Sequence, residues 1–177
     1  HTRRPSRKWF RDAKEQAGGR ASGFRSGRFA GQGQYGTTQV IGLDTNVLAR
    51  YYIQDEGDAE AVKQREAARR LMESGRPLMV CKTVLLELEW VMRGYYEFST
   101  AQIAGVMNHL LALPQVTVED RESIVQALSH CEAGLELADA LHHASYRACD
   151  SMASFDNKQF ARRAQRMGLT PRVLVPE

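Results

Sequence analysis

Four acidic residues stand where acids need a reason. The stretch VIGLDTN, residues 40–46, runs a short apolar strand straight into Asp44. A second such stretch, SMAS at 151–154, is followed by Asp156 with only Phe155 between. In an open parallel sheet, ligands bind beyond the carboxyl ends of the strands. Two acids in equivalent strand-to-helix positions would therefore converge at one sheet edge, although each could instead be a helix N-cap. The other two acids lie in apolar helices. Glu87 sits in VLLELEW, with Val84, Val91 and Gly94 on its side of a 3.6-residue turn. A carboxylate buried there costs several kcal/mol unless it is paired or binds a metal. Glu89, two residues on, reads as the surface residue of the two. Asp139 lies in LELADALHHAS between alanines, and aspartate is a poor residue for a helix interior.

Carboxylates that cluster repel one another and call for a cation. An all-oxygen ligand set selects hard ions such as Mg²⁺ or Mn²⁺. A metal held in this way can activate water and stabilise a phosphodiester transition state. No Walker A loop, GxGxxG, HExxH or GxSxG pattern offers a competing chemistry.

The elements that must position these acids follow from apolar periodicity. Strands are expected at QVIGL, PLMVC, QVTV, SMAS and RVLV. Helices are expected after Asp44, over 57–74, over 83–97, from Ser99 to about Leu113, after Asp120 as N-cap, over about 136–149 and over 157–167. Ser99 begins a capping-box pattern, S-T-A-Q, and Gly75 and Pro114 punctuate helix ends. Met72, Met79, Met92 and Met107 read as core, and at least one tyrosine of each pair 51–52 and 95–96 does too. Strands alternating with helices imply a mainly parallel sheet covered on both sides.

Composition adds limits. The chain has 177 residues, 43% hydrophobic and 25% charged, which suits one soluble domain with a full core. No apolar run reaches the roughly 20 residues that span a bilayer, and no signal-peptide h-region is visible. Cys81, Cys131 and Cys149 form no CxxC or knuckle pattern. They read as reduced thiols of a cytoplasmic protein, with Cys81 in the core.

The net charge of +3 hides an asymmetry. Residues 1–37 carry nine Lys and Arg against two acids, whereas the other 140 residues carry 15 against 19. The same segment holds seven of the fourteen glycines. A basic, Gly-rich extension over 1–37 is thus expected to precede a domain over 38–177. Ser6 would cap a short helix bearing Trp9 and Phe10.

The stretches VIGLDTNVLARYY, TVLLELEWVMR, LELADALHHAS and MASFDNKQFAR together resemble the PIN-domain family, and within it the VapC toxins of bacterial toxin–antitoxin pairs. The resemblance covers about residues 39–177. It implies a three-layer α/β/α sandwich with a central, mainly parallel sheet, and a Mg²⁺- or Mn²⁺-dependent endoribonuclease in which metal-activated water attacks a phosphorus of RNA. It implies Asp44, Glu87, Asp139 and Asp156 as the metal-site acids, with Thr45, Asn46 and Ser154 in support. Ser154 stands where the family often has Thr, which keeps the hydroxyl. The resemblance also implies a homodimer, a cognate antitoxin and an RNA target, most often transfer RNA, though ribosomal and messenger RNA stay open.

A body of net negative charge must still meet a polyanion, so its charge must be uneven or a dimer must build a basic groove. Arg50, Lys82, Arg93 and Lys158 lie near the motifs and are candidates. His143, one turn beyond Asp139, could orient an acid or touch RNA, although His142 and His143 read more simply as helix-surface residues.

For residues 1–37 three origins are open: a tag and linker, a natural single-strand-binding arm, or an antitoxin-derived tail. In the last case Arg3, Arg4, Arg7, Trp9, Phe10 and Arg11 would bind along the groove, arginine forks pairing the clustered carboxylates. The rival readings of the domain are a DNA nuclease of the same fold, a non-catalytic RNA- or protein-binding module, and an aspartate-nucleophile phosphatase. The last typically needs DxD, where this chain has DTN.

Overall fold

The computed structural model describes residues 39–54 and 59–176. The expectations for residues 1–37, including the helix after Ser6 and the tail residues Arg3 to Arg11, lie outside the described residues.

The chain alternates strand and helix as its periodicity requires. In order come β1 (Ile41–Gly42), α1 (Thr45–Tyr52), α2 (Ala59–Met72), β2 (Leu78–Val80), α3 (Lys82–Gly94), α4 (Thr100–Ala112) and β3 (Val116–Val118). They are followed by α5 (Arg121–Glu132), α6 (Leu137–Ser145), β4 (Ser151–Ala153), a π-helical turn (Asn157–Ala161), α7 (Arg162–Arg166) and β5 (Arg172–Leu174). This is a helix-rich α/β sandwich with parallel strands.

Every strand pairing is parallel, but the hydrogen bonding comes in two pieces. β1, β2 and β3 form one sheet in that order, with Ile41 opposite Leu78 and Leu78 opposite Val116. β4 and β5 form the other, with Met152 opposite Val173. The strands are only two or three residues long, so each ladder is short. Leu78, Val80, Val116 and Val118 point into the core. Met79 alternates to the other face and is 41% exposed, which corrects its expected place in the core. Met72, Met92 and Met107 are buried.

Helix ends follow local chemistry. Ser99 caps α4 with a full capping box: its hydroxyl accepts the Gln102 N–H at 3.3 Å, and the Gln102 side chain accepts the Ser99 N–H at 2.8 Å. Gly75, beyond α2, takes the positive φ of +70° that favours glycine. Asp120 does not cap α5 as expected. It adopts φ 47°, and its side chain makes no cap bond. Its carboxylate instead accepts from Lys82 Nζ at 2.9 Å and from Arg147 Nη1 at 3.1 Å. These partners hold the Asp120 carboxyl well below the ordinary range, the Lys82 hydrogen bond contributing most. The result is a brace joining the starts of α3 and α5 to the turn after α6.

α1 begins directly after the first site acid, Asp44, and is anchored by Leu48 and Tyr52, both buried against the common core. The other tyrosines divide as expected: Tyr96 packs against the core and Tyr95 is 76% exposed. Cys131 is buried, while Cys81 is only half-buried, its Sγ 3.1 Å from Thr83 Oγ1, so its expected core position is not met.

Truncating the anchor of α1 should be costly. Leu48→Ala is expected to destabilise by about 2–5 kcal/mol, and Met79→Ala to stay within about 0.5 kcal/mol. Urea denaturation of both variants measures the contrast. Equal losses would mean that Met79 packs in the core after all.

Candidate active site

The residue that organises the first half of the site is Thr45, which is buried. Its backbone N–H donates to Asp44 Oδ1 at 2.8 Å, and its hydroxyl donates to Glu87 Oε2 at 2.7 Å. Asn46 Nδ2 donates to Asp44 Oδ2 at 2.9 Å. The start of α1 thus fixes one carboxylate of its own and one from α3. Thr45 was expected to support Asp44; its side chain serves Glu87, and only its backbone serves Asp44. Asp44, Thr45, Asn46, Arg50, Glu87 and Tyr96 line one cavity of about 280 Å³, together with the apolar Ala49, Ile53 and Val91.

Glu87 is exposed at this cavity rather than buried. The buried acid of α3 is Glu89, at 6% exposure, and it accepts from Arg93 Nε at 2.5 Å. The expectation for the two glutamates is therefore reversed. The cause is the phase of the helix: Leu85, Leu88 and Met92 form its buried stripe, and Glu89 falls on that stripe. Arg93 is correspondingly tied to Glu89 and not offered to a substrate.

The second half of the site pairs Asp139 with Asp156. Asp139 lies in the first turn of α6, half-buried. Burial raises its carboxyl above the ordinary range, the nearby charges of Glu136 and Asp156 raise it further, and His142 pulls it back. Asp156 follows β4, and its Oδ1 accepts the Gln159 N–H at 2.9 Å, so it does cap the helical segment that follows. Ser154 Oγ accepts the Asp156 N–H at 3.1 Å. Ser154 therefore shapes the loop and makes no bond to a carboxylate. α6 also packs against α3, the helix of Glu87.

The remaining predicted residues separate. Lys82 bonds Asp120 and lies 3.4 Å from Ser145 Oγ, so its charge is spent inside the brace. Arg50 donates to Gln64 Oε1 at 3.0 Å and stays on the cavity rim. Lys158 is exposed. His143 is fully buried, with Nε2 2.7 Å from the Pro171 carbonyl oxygen. It has no surface to give to RNA and touches no acid, so neither its expected site role nor its surface reading holds. His142 is the histidine that Asp139 feels. Sequence reasoning missed Glu136 and Tyr96 at the site, and no spacing rule singles them out.

Among the described residues, no group of three or more His, Cys, Asp or Glu side chains is gathered closely enough to hold a metal ion. The four acids stand as two pairs. Their chemistry suits a hard divalent cation all the same: every donor is a carboxylate oxygen, and Asp139 carries a charge that its acidic neighbours disfavour.

Acids follow β1 and β4 of the parallel strands, and helices pack around them. The family model of the PIN domain matches residues 41–165, which is most of the chain. The chain belongs to the PIN domain family. PIN domains are generally nucleases and usually use divalent metal ions. No curated protein matches the chain.

Two predictions follow from the charges. Arg93→Met leaves Glu89 buried without its partner and is expected to cost about 1.5–3 kcal/mol, whereas Glu87→Gln should leave stability nearly unchanged; denaturation curves of the pair decide. For Asp139, the folded-state carboxyl titrates above its unfolded value. The native state then binds more protons across that window, and stability falls as pH rises through it. Asp139→Asn is therefore expected to raise the melting temperature at pH 7 in EDTA, with the gain disappearing in acid below the ordinary carboxylate range. A variant that melts at or below the wild-type temperature at pH 7 would show that Asp139 is not under electrostatic strain.

Proposed function

We propose that this protein is a Mg²⁺- or Mn²⁺-dependent endoribonuclease, the toxin of a toxin–antitoxin pair, which hydrolyses RNA phosphodiester bonds in transfer or ribosomal RNA and so inhibits translation. The observation that carries the reading is the linkage of Asp44 and Glu87 through Thr45. Two like charges are tied to one residue at a cavity open to solvent, an arrangement that suits a cation. Asp44, Glu87, Asp139 and Asp156 would hold one or two such ions, which when bound supply water activation and charge neutralisation at the phosphodiester. Thr45 and Asn46 keep the first pair oriented, and Ser154 sets the loop from which Asp156 projects. Arg50, on the cavity rim, is placed to meet a phosphate.

The remaining parts of the reading rest on sequence. The net −4 of residues 38–177 and the net +7 of residues 1–37 are complementary, which supports an antitoxin-like tail over Arg3 to Arg11 that pairs with the carboxylates. A homodimer is the expected assembly, and exposed Trp90 and Tyr95 on and after α3 offer it an apolar surface.

RNA cleavage by the full chain and by a chain lacking residues 1–37, with Mg²⁺ or Mn²⁺ and with EDTA, tests the reading. Cleavage should need the metal and should fall by at least about 100-fold in Asp44→Asn, the scale of one lost charge-stabilising group. Removing residues 1–37 should raise it; unchanged cleavage would sink the inhibitory tail alone. Metal-dependent cleavage of DNA and not RNA would favour the DNA nuclease. No cleavage of either by folded, metal-loaded protein would favour the non-catalytic module.

A further inference from the structure

Asp139 and Asp156 come from parts of the fold that share no strand hydrogen bond among the described residues. Asp139 is on α6, and Asp156 follows β4, which pairs with β5. Phe160, Ala164 and Val173 anchor the second unit, from β4 to β5, in the common core. Apolar packing has no direction, however, and does not by itself fix one acid against the other. Directional contacts can. Among the described residues, two side-chain hydrogen bonds join this unit to the rest of the domain. Arg163 donates to the Gly134 carbonyl at 2.7 Å, in an exposed setting, and His143 meets the Pro171 carbonyl at 2.7 Å, fully buried. The second bond comes from the helix of Asp139, one turn beyond that acid. The carbonyl can only accept, so His143 Nε2 donates. Pro171 directly precedes β5, the partner strand of β4. The imidazole also meets the far flank of Asp156. The ring of Phe160, in the π-helical turn after that acid, stands edge-on to it, with centroids 6.3 Å apart. His130 of α5 packs against another side, its ring 5.9 Å away. Nδ1 of both histidines is buried and has no hydrogen-bond partner among the described residues. Among those residues, the bond to Pro171 is thus the polar contact that orients the His143 ring.

We propose that His143 is a positioning residue: by tying α6 to the residue before β5, it keeps Asp156 in register with Asp139 so that one cation can reach both. It touches neither acid and acts through the backbone of the second unit. Loss of the bond would leave a buried carbonyl without its donor and free the smaller unit to settle differently against α6. This inference rests on the metal-dependent nuclease reading and adds a buried residue on which its acidic pair depends.

The test is the Mn²⁺ affinity of the full chain without RNA, read by electron paramagnetic resonance at a temperature where circular dichroism shows each variant folded. His143→Leu fills the space but cannot donate. It should weaken Mn²⁺ binding by about 10-fold, the low end for residues that orient metal ligands without touching the metal. His143→Gln keeps an N–H donor the same number of bonds from the backbone and should restore most of the affinity. If His143 works by placing Asp156, removing that acid leaves it nothing to do. In an Asp156→Asn background, His143→Leu should therefore weaken Mn²⁺ no further. Should His143→Leu not fold, His143→Asn replaces it, because its amide stops short of Pro171. Unchanged affinity in His143→Leu, no recovery in His143→Gln, or losses that simply add in the double variant would each overturn the positioning role. RNA cleavage by the wild type with Mn²⁺ is scored separately. Wild type that binds Mn²⁺ and cleaves, with any of those three results, keeps the nuclease and loses the positioning role. Binding and the expected cycle without cleavage keep the positioning role and sink the nuclease. Wild type that binds no Mn²⁺ sinks both.

Discussion

Everything at the first half of the site depends on one buried threonine. Two carboxylates from different helices would drift apart if nothing held them, because their charges repel. Thr45 prevents this with two donors of fixed separation, its amide for Asp44 and its hydroxyl for Glu87. Those donors are useful only if α1 cannot shift against α3, and the packing of Leu48, Tyr52, Leu88 and Met92 in a common core holds the two helices in place. The hydrophobic core thus sets the distance between two like charges. Serine at position 45 would keep the hydrogen bonds but lose the methyl group that helps to hold the hydroxyl in one rotamer.

Much of this was legible in the sequence, and the exceptions are instructive. The five strands and the helices between them follow from apolar runs and turn residues, and the Ser99 capping box is a purely local signal. The order of motifs was enough to place the chain in its family. The phase of α3 was harder. Val84 and Val91 suggest one buried stripe, and Leu85, Leu88 and Met92 another; both are apolar, and only packing against the rest of the core chooses the second. That choice exchanged the roles of Glu87 and Glu89. His143 was misread for a similar reason. Its neighbours on α6, Asp139, Ala140, His142 and Ala144, give no hint that its ring would face Pro171 from a segment 28 residues later. Division of the strands into two sheets depends on pairings between distant segments, and no local pattern encodes that.

The charge economy of the domain is equally a matter of tertiary partners. Counting residues gives an acidic body. The structure sorts its cations into those that brace helices and those left facing solvent. Lys82 and Arg147 meet at Asp120, whose left-handed backbone turns the chain sharply from β3 into α5. A residue with φ 47° whose carboxylate is held by two cations is over-determined, and that is the usual condition under which such a conformation survives in a non-glycine residue. Position and partner, more than residue type, decide which basic side chains are available to a ligand.

The separation into two sheets bears on how the molecule breathes. Asp44 and Glu87 belong to the body built on β1, β2 and β3, whereas Asp156 hangs from β4 and β5. Among the described residues no strand hydrogen bond joins the two sheets, and the second is a single ladder of three residue pairs. Units of this kind open with free energies of their own, below that of global unfolding. An excursion of the smaller unit would carry Asp156 away from Asp139 while Thr45 kept its grip on the other pair. How often that happens would be set less by the short ladder than by the burial of Phe160, Ala164 and Val173 in the common core.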